Sequence, residues 1–158
     1  EIPLRLVGSE MCIRDSDSTV REAHVIGNTL SVEKVDNENH YNQVAAKLIN
    51  AYFIDGVIRQ AVSIGNVQTI FYPQDDKDST LTGLNYLETD TLRMYMSAQR
   101  QLEKIWTPRA QGTMFPMTQI PSNKYHLPAF AWYDELRPTG PKDVLIWRPR
   151  SKRGPIMH

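Results

Sequence analysis

Residues 41–64, YNQVAAKLINAYFIDGVIRQAVSI, are the most apolar and most regular stretch of the chain. Apolar side chains recur there at i, i+3, i+4, i+7, i+8 and i+11, the spacing of one face of a helix. They are Tyr41, Val44, Ala45, Leu48, Ile49 and Tyr52, followed beyond Gly56 by Val57, Ile58, Ala61 and Val62. The pattern predicts an amphipathic helix that bends at Asp55-Gly56, ends at Gly65-Asn66 and provides the surface against which the core forms.

Weaker patterns surround this stretch. Thr89 or Asp90 is placed to cap a second helix, which runs to Trp106. The segments 29–35 (TLSVEKV) and 67–72 (VQTIFY) are rich in β-branched and aromatic residues and predict short strands. Together these elements predict an α+β fold, with a mainly helical small body and a long, irregular, proline-rich C-terminal extension.

The first sixteen residues, EIPLRLVGSEMCIRDS, show no hydrophobic period and no capping signal. They resemble the translated read-through of a sequencing adapter, so we interpret residues 1–16 as a sequence artefact and exclude them from fold reasoning. Cys12, the only cysteine, lies in this segment. From residue 17 onward the sequence therefore predicts no disulfide and no thiolate nucleophile.

Composition and motifs argue against several classes of function. The 18 basic and 18 acidic side chains cancel, which leaves no overall field to attract nucleic acid. No run of apolar residues is long enough to predict a transmembrane helix. No zinc-binding pattern, phosphate-binding glycine loop or nucleophile elbow occurs, and the loop with Asp75, Asp76 and Asp78 lacks the glycine and glutamate of a calcium loop. We therefore predict no enzymatic activity, no metal and no cofactor.

Proline and aromatic residues set the C-terminal third apart. Eight of the ten prolines lie in residues 108–158, and their spacing rules out a long helix. We therefore divide the chain into a body, 17–106, and an extended tail, 107–158. Because a body of this size offers little surface to offset the entropy of ordering such a tail, we expect the tail to bind a partner. The predicted partner-binding residues are Phe115, Tyr125, Trp132, Tyr133, Trp147, Arg148, Arg150, Lys152 and Arg153.

Two alternatives of different classes remain open. The basic run WRPRSKRGP could contact RNA phosphates, with Trp147 stacking on a base, which would make the chain an RNA-binding organellar subunit. A small enzyme or ligand-binding domain would instead need a closed pocket around His126 and Asp134.

Residues 51–66, AYFIDGVIRQAVSIGN, resemble the helix of phycobilisome linker polypeptides through Val57, Ile58, Arg59, Ala61, Gly65 and Asn66. The resemblance implies a linker that holds other protein subunits together without catalysis. Since bilins attach through cysteine sulfur and no cysteine follows residue 16, it implies a colourless linker. We therefore predict a non-catalytic structural or linker subunit of a large protein assembly, possibly a phycobilisome linker of a photosynthetic antenna. An accessory subunit of a respiratory or photosystem complex is the alternative. The predicted location is organellar, with the plastid ahead of the mitochondrion.

Overall fold

The computed structural model describes residues 4–7, 10–16 and 19–130, and the strands among them form one antiparallel sheet. Its strands are β1 (Leu4–Val7), β2 (Glu10–Ser16), β3 (Thr19–Lys34), β4 (Tyr41–Ile54), β5 (Val57–Phe71), β6 (Gly83–Met96), β7 (Leu102–Trp106) and β8 (Ala110–Pro116). Two 3-10 turns follow, Met117–Gln119 and Ser122–Lys124, and the described residues contain no α-helix. The predicted mainly helical α+β body is therefore wrong, because the chain is built from antiparallel β-structure.

The predicted main helix is a β-hairpin. β4 and β5 pair from Ile54 opposite Val57, and only Asp55 and Gly56 lie between them. Both turn residues have positive φ, 52° and 73°, as a type I′ hairpin turn requires. The residues next to the turn are all β-branched or aromatic, and such residues pack well on a pleated surface: Tyr52, Phe53, Ile54, Val57 and Ile58. A strong hairpin signal therefore overrides the helical spacing.

The second predicted helix is also two strands and a turn. Residues 89–96 end β6, residues 97–101 turn the chain, and β7 follows. In the turn the Ser97 hydroxyl accepts hydrogen bonds from the backbone N–H groups of Gln99 and Gln101, and Arg100 has a φ of 64°. By contrast, the strands predicted at 29–35 and 67–72 are confirmed as the C-terminal parts of β3 and β5, whose last residues differ from the predicted ends by one. Both strands are longer than predicted, because they begin at Thr19 and Val57.

Four long strands, β3 to β6, run as a meander through the centre of the sheet. β1 and β2 lie one after the other along the outer edge of β3, and β7 and β8 do the same along the outer edge of β6. β1 and β2 belong to the segment interpreted as translated adapter, and that interpretation stays a prediction.

Three neighbouring strands are irregular at adjacent positions near their middles. We call this line of positions the crease, and it consists of residues 27–28 of β3, 46–47 of β4 and 65–66 of β5. The strand register shifts there between Ile26 and Thr29, and again between Ile64 and Val67. Both Gly-Asn pairs have positive φ, 76° and 45° at 27–28, and 84° and 49° at 65–66. Gly65-Asn66 is therefore a β-bulge inside a long strand and not the end of a helix.

The core has two clusters. The first contains Leu30, Val32, Tyr41, Ile70, Tyr72, Leu84 and Leu127. The second contains Ala46, Ile49, Val67 and Leu92. Ala45 packs on the first cluster while its neighbour Ala46 belongs to the second, because successive residues of a strand point to opposite faces. Met117, Ile120 and Phe130 pack against the first cluster, so the segment after β8 covers one face of the sheet.

A buried amide joins that covering segment to β4. Gln43 is fully buried; its Nε2 donates to the carbonyl oxygens of Tyr125, at 2.8 Å, and Tyr41, at 3.2 Å. Its Oε1 accepts the backbone N–H of Leu127 at 2.8 Å. The predicted boundary between body and tail lies between residues 106 and 107. In the structure, residues on the two sides of it are joined, because β8 pairs with β6 and Leu127 is hydrogen-bonded to Gln43.

The crease gives a first prediction. A Cβ atom at Gly65 would lie 2.9 Å from Cδ of Lys47, in a backbone conformation with a φ of 84°. Gly65→Ala is therefore expected to lower the free energy of unfolding by about 1–3 kcal/mol, mainly through backbone strain. The double variant with Lys47→Ala removes the contact with Cδ but keeps the backbone strain, so it should recover only part of the loss in a urea titration. Full recovery would show that the left-handed backbone at this position carries no strain.

Candidate functional site: the exposed edge of β7 and β8

The strands β7 and β8 together form one edge of the described sheet. β7 pairs with residues 93–96 of β6 and β8 with residues 83–89 of the same strand. Within the described chain neither strand has a partner on its other side. The outward N–H and C=O groups of an edge strand are a template for pairing with another chain.

Large apolar side chains lie on the same two strands. Ile105, Trp106 and Met114 are 47%, 42% and 50% exposed, and they are half of the six exposed large hydrophobic residues in the described part of the chain. The guanidinium carbon of Arg93 lies 5.0 Å from the centre of the Trp106 ring. The edge therefore offers apolar contacts as well as backbone hydrogen bonds, the combination that strand-adding partners use.

Features that block edge pairing are weak here. Proteins usually protect exposed edge strands with charged residues, inner prolines or bulges. β8, AQGTMFP, has no charged residue, runs in regular register with β6 and has its one proline at the last position. β7 carries Glu103 and Lys104. β8 is therefore the less protected half of this edge.

Polar contacts and glycines hold the edge in place. The hydroxyl of Thr89, in β6, lies 2.6 Å from that of Thr107 and donates to the carbonyl oxygen of Arg109, which fixes the connection between β7 and β8. At Gly83 a Cβ atom would overlap the carbonyl oxygen of Phe115, and at Gly112 it would lie 3.2 Å from the carbonyl oxygen of Tyr86. The close approach of β8 to β6 therefore depends on glycine, above all at position 83.

A shallow groove of about 700 Å³ lies beside the start of β8. Its lining includes Asn66, Glu88, Asp90, Arg109 and Gln111, so both signs of charge occur along it. At one side the hydroxyl of Tyr86 donates to Glu88, and the ammonium of Lys124 lies 4.1 Å from the Tyr86 ring centre. Partial burial, the hydrogen bond to Glu88 and its negative charge raise the pKa of Tyr86 to about 12. Tyr86 is thus a neutral hydrogen-bond donor at physiological pH.

Of the nine predicted partner-binding residues, two lie among the described residues. Phe115, in β8, is half-buried against the first core cluster, and Tyr125 is half-buried with its carbonyl oxygen held by Gln43. The others, Trp132, Tyr133, Trp147, Arg148, Arg150, Lys152 and Arg153, lie outside the described residues. So does Asp134 of the alternative pocket, whereas His126 is exposed and its ring centre is 4.1 Å from that of Phe130.

Sequence reasoning did not propose the edge. Ile105 and Trp106 were placed on a helix, and residues 110–116 were included in the tail without a structure of their own. An available signal was the uncharged run AQGTMFP closed by proline, which is compatible with an edge strand.

Comparisons with protein-family models, with curated proteins and with solved structures found no match for this chain. Among the described residues no helix is long and apolar enough to cross a membrane.

Proposed function

We propose that this chain is a non-catalytic structural subunit that joins a larger protein assembly by accepting an extended strand of a neighbouring subunit at the β7–β8 edge. The observation that carries the proposal is the uncharged, exposed strand β8, whose outer side has no partner within the described chain. An added strand would hydrogen-bond to the backbone of β8, and its apolar side chains would cover Met114 and Ile105.

The kind of assembly remains a prediction. The resemblance of residues 51–66 to a phycobilisome linker supports a photosynthetic antenna in a plastid, and a respiratory or photosystem complex is the alternative. That resemblance was interpreted as a helix, and the residues that carry it form a hairpin, so its support comes from residue identity alone. The edge itself favours protein strands as partners without selecting one assembly.

Charge placed on the edge tests the proposal. The double variant Gln111→Lys with Thr113→Lys is expressed in cells of the source organism. The fraction of it that co-migrates with the assembly should be at least tenfold lower than for the unmodified chain, because lysine on an edge strand opposes pairing. Both side chains are exposed, so the fold should persist. Size-exclusion chromatography of the extract, with quantitative mass spectrometry, provides the measurement, and circular dichroism checks the fold.

The matched control is Thr118→Lys with Gln119→Lys. These residues have the same types and are exposed, but they lie in the 3-10 turn after β8. The control should co-migrate like the unmodified chain. Equal retention of both double variants in the assembly, or elution of the unmodified chain as a monomer, would contradict docking at β8.

A further inference from the structure

The turn between β3 and β4 brings together three side chains with metal-binding atoms. One such atom from each of Asp36, Glu38 and His40 lies within 4.8 Å of the other two. Asp36 Oδ1 accepts the backbone N–H groups of Glu38 and His40, at 2.9 and 3.2 Å, so the turn is wound around this carboxylate. Oδ2 of the same group lies 2.6 Å from Nδ1 of His40, which fixes the orientation of the imidazole.

The buried hydroxyl of Tyr72 provides a second observation, which does not depend on the hydrogen bonds within the cluster. Tyr72 is 2% exposed, and its hydroxyl is buried without a hydrogen-bond partner among the described residues. A buried hydroxyl left unpaired costs about 1–3 kcal/mol, so such groups usually satisfy themselves with a protein, water or ion partner. Among the described residues the hydroxyl of Tyr72 is therefore left open to a water or an ion as its partner.

Tyr72 packs against the imidazole of the cluster, since its ring centre is 5.1 Å from that of His40. The side chain that carries the unpaired hydroxyl therefore lies beside the candidate ligands.

We propose that Asp36, Glu38 and His40 bind a zinc-type divalent cation, with a water molecule as fourth ligand that accepts a hydrogen bond from Tyr72. Two carboxylates and one imidazole form a mixed oxygen and nitrogen donor set, which suits Zn²⁺ rather than Ca²⁺ or Mg²⁺. On binding, the ion takes the place of a proton between Asp36 and His40, and it ties the β3–β4 turn to the first core cluster through Tyr72. The site does not depend on docking at the β7–β8 edge.

The test is isothermal titration of ZnCl₂ into the full chain without an affinity tag. One equivalent should bind, and Glu38→Gln should weaken binding at least tenfold. The Glu38 side chain is exposed, so this variant should keep the fold, which circular dichroism verifies. The matched control is Glu103→Gln, an exposed glutamate on β7, and it should bind Zn²⁺ like the unmodified chain.

Cobalt provides a second readout. Co²⁺ at a four-coordinate site gives visible absorption bands, and these should appear with the unmodified chain and be lost in Glu38→Gln. Absence of stoichiometric Zn²⁺ binding, or equal affinity in Glu38→Gln and Glu103→Gln, would overturn the site and assign any binding to scattered histidines.

Discussion

Gln43→Leu is expected to lower the free energy of unfolding by about 3 kcal/mol, because leucine leaves one buried and one partly buried backbone group without partners, at about 1–3 kcal/mol each. These groups are the carbonyl oxygen of Tyr125 and the N–H of Leu127, which Gln43 holds at 2.8 Å each. Leucine is similar in volume to glutamine, so lost packing contributes little. The loss should appear in a urea titration of the full chain followed by circular dichroism.

The same substitution should also release the segment that covers the first core cluster. Leu127 and Phe130 lose their attachment to β4, so limited proteolysis should cut near residues 120–130 faster in Gln43→Leu than in the unmodified chain. Gln101→Leu, at an exposed glutamine in the β6–β7 turn, is the control and should change stability by no more than about 0.5 kcal/mol. A loss at position 43 as small as that at position 101 would show that the buried amide does not hold the segment.

Gly83→Ala is expected to have the second large effect, about 3 kcal/mol, at the upper end of the range for inserting one methyl group into a tightly packed position. Gly83 is buried, and the new Cβ would overlap the carbonyl oxygen of Phe115 on β8. Because the obstacle is backbone, β8 has to move away from β6 to relieve the overlap. Equilibrium unfolding measures the loss, and amide hydrogen exchange should show faster exchange across Ala110–Pro116.

Gly112→Ala is the matched control on the opposite strand. Its new Cβ would lie 3.2 Å from the carbonyl oxygen of Tyr86, a contact that a small shift can relieve. A loss of about 1 kcal/mol or less is expected there. Equal losses of stability in the two variants would show that the close backbone approach of β6 and β8 at Gly83 does not make this position sensitive to an added methyl group.

Local signals predicted part of the fold correctly. The strands at 29–35 and 67–72 follow from their β-branched and aromatic residues. The pair Asp55-Gly56 was predicted to bend a helix, but between two β-rich runs an Asp-Gly pair favours a hairpin, as the structure shows. The apolar spacing of this stretch indicates a helix and its β-propensity indicates strands, and the β-propensity agrees with the structure.

The crease explains why that spacing resembled a helix. In β4 burial alternates at first, with Tyr41 and Gln43 buried, but at the register shift the buried position moves to Ala46, and it continues at Ile49 and Ala51. A strand interrupted by one irregular position gives apolar residues three and four apart, which is also the spacing of a helix face. The repeated Ile-Gly-Asn at 26–28 and 64–66 was the available signal for that irregularity.

The candidate site was less accessible to sequence reasoning. An edge strand is defined by the partner it lacks, and pairing across 20 or more residues, such as Leu87 with Gly112, leaves no local pattern. The same holds for Gln43, whose partners Tyr125 and Leu127 lie 82 and 84 residues further along the chain. Phe115 was predicted to bind a partner, and in the structure it contacts this chain's own core.

Amide hydrogen exchange of β8, compared between the isolated chain and the assembly that contains it, tests the central claim most directly. Strand addition predicts that the β8 amides pointing away from β6 exchange rapidly in the isolated chain and at least tenfold more slowly in the assembly, while those bonded to β6 are slow in both. Equal exchange of the outward amides in both states would contradict docking at this edge.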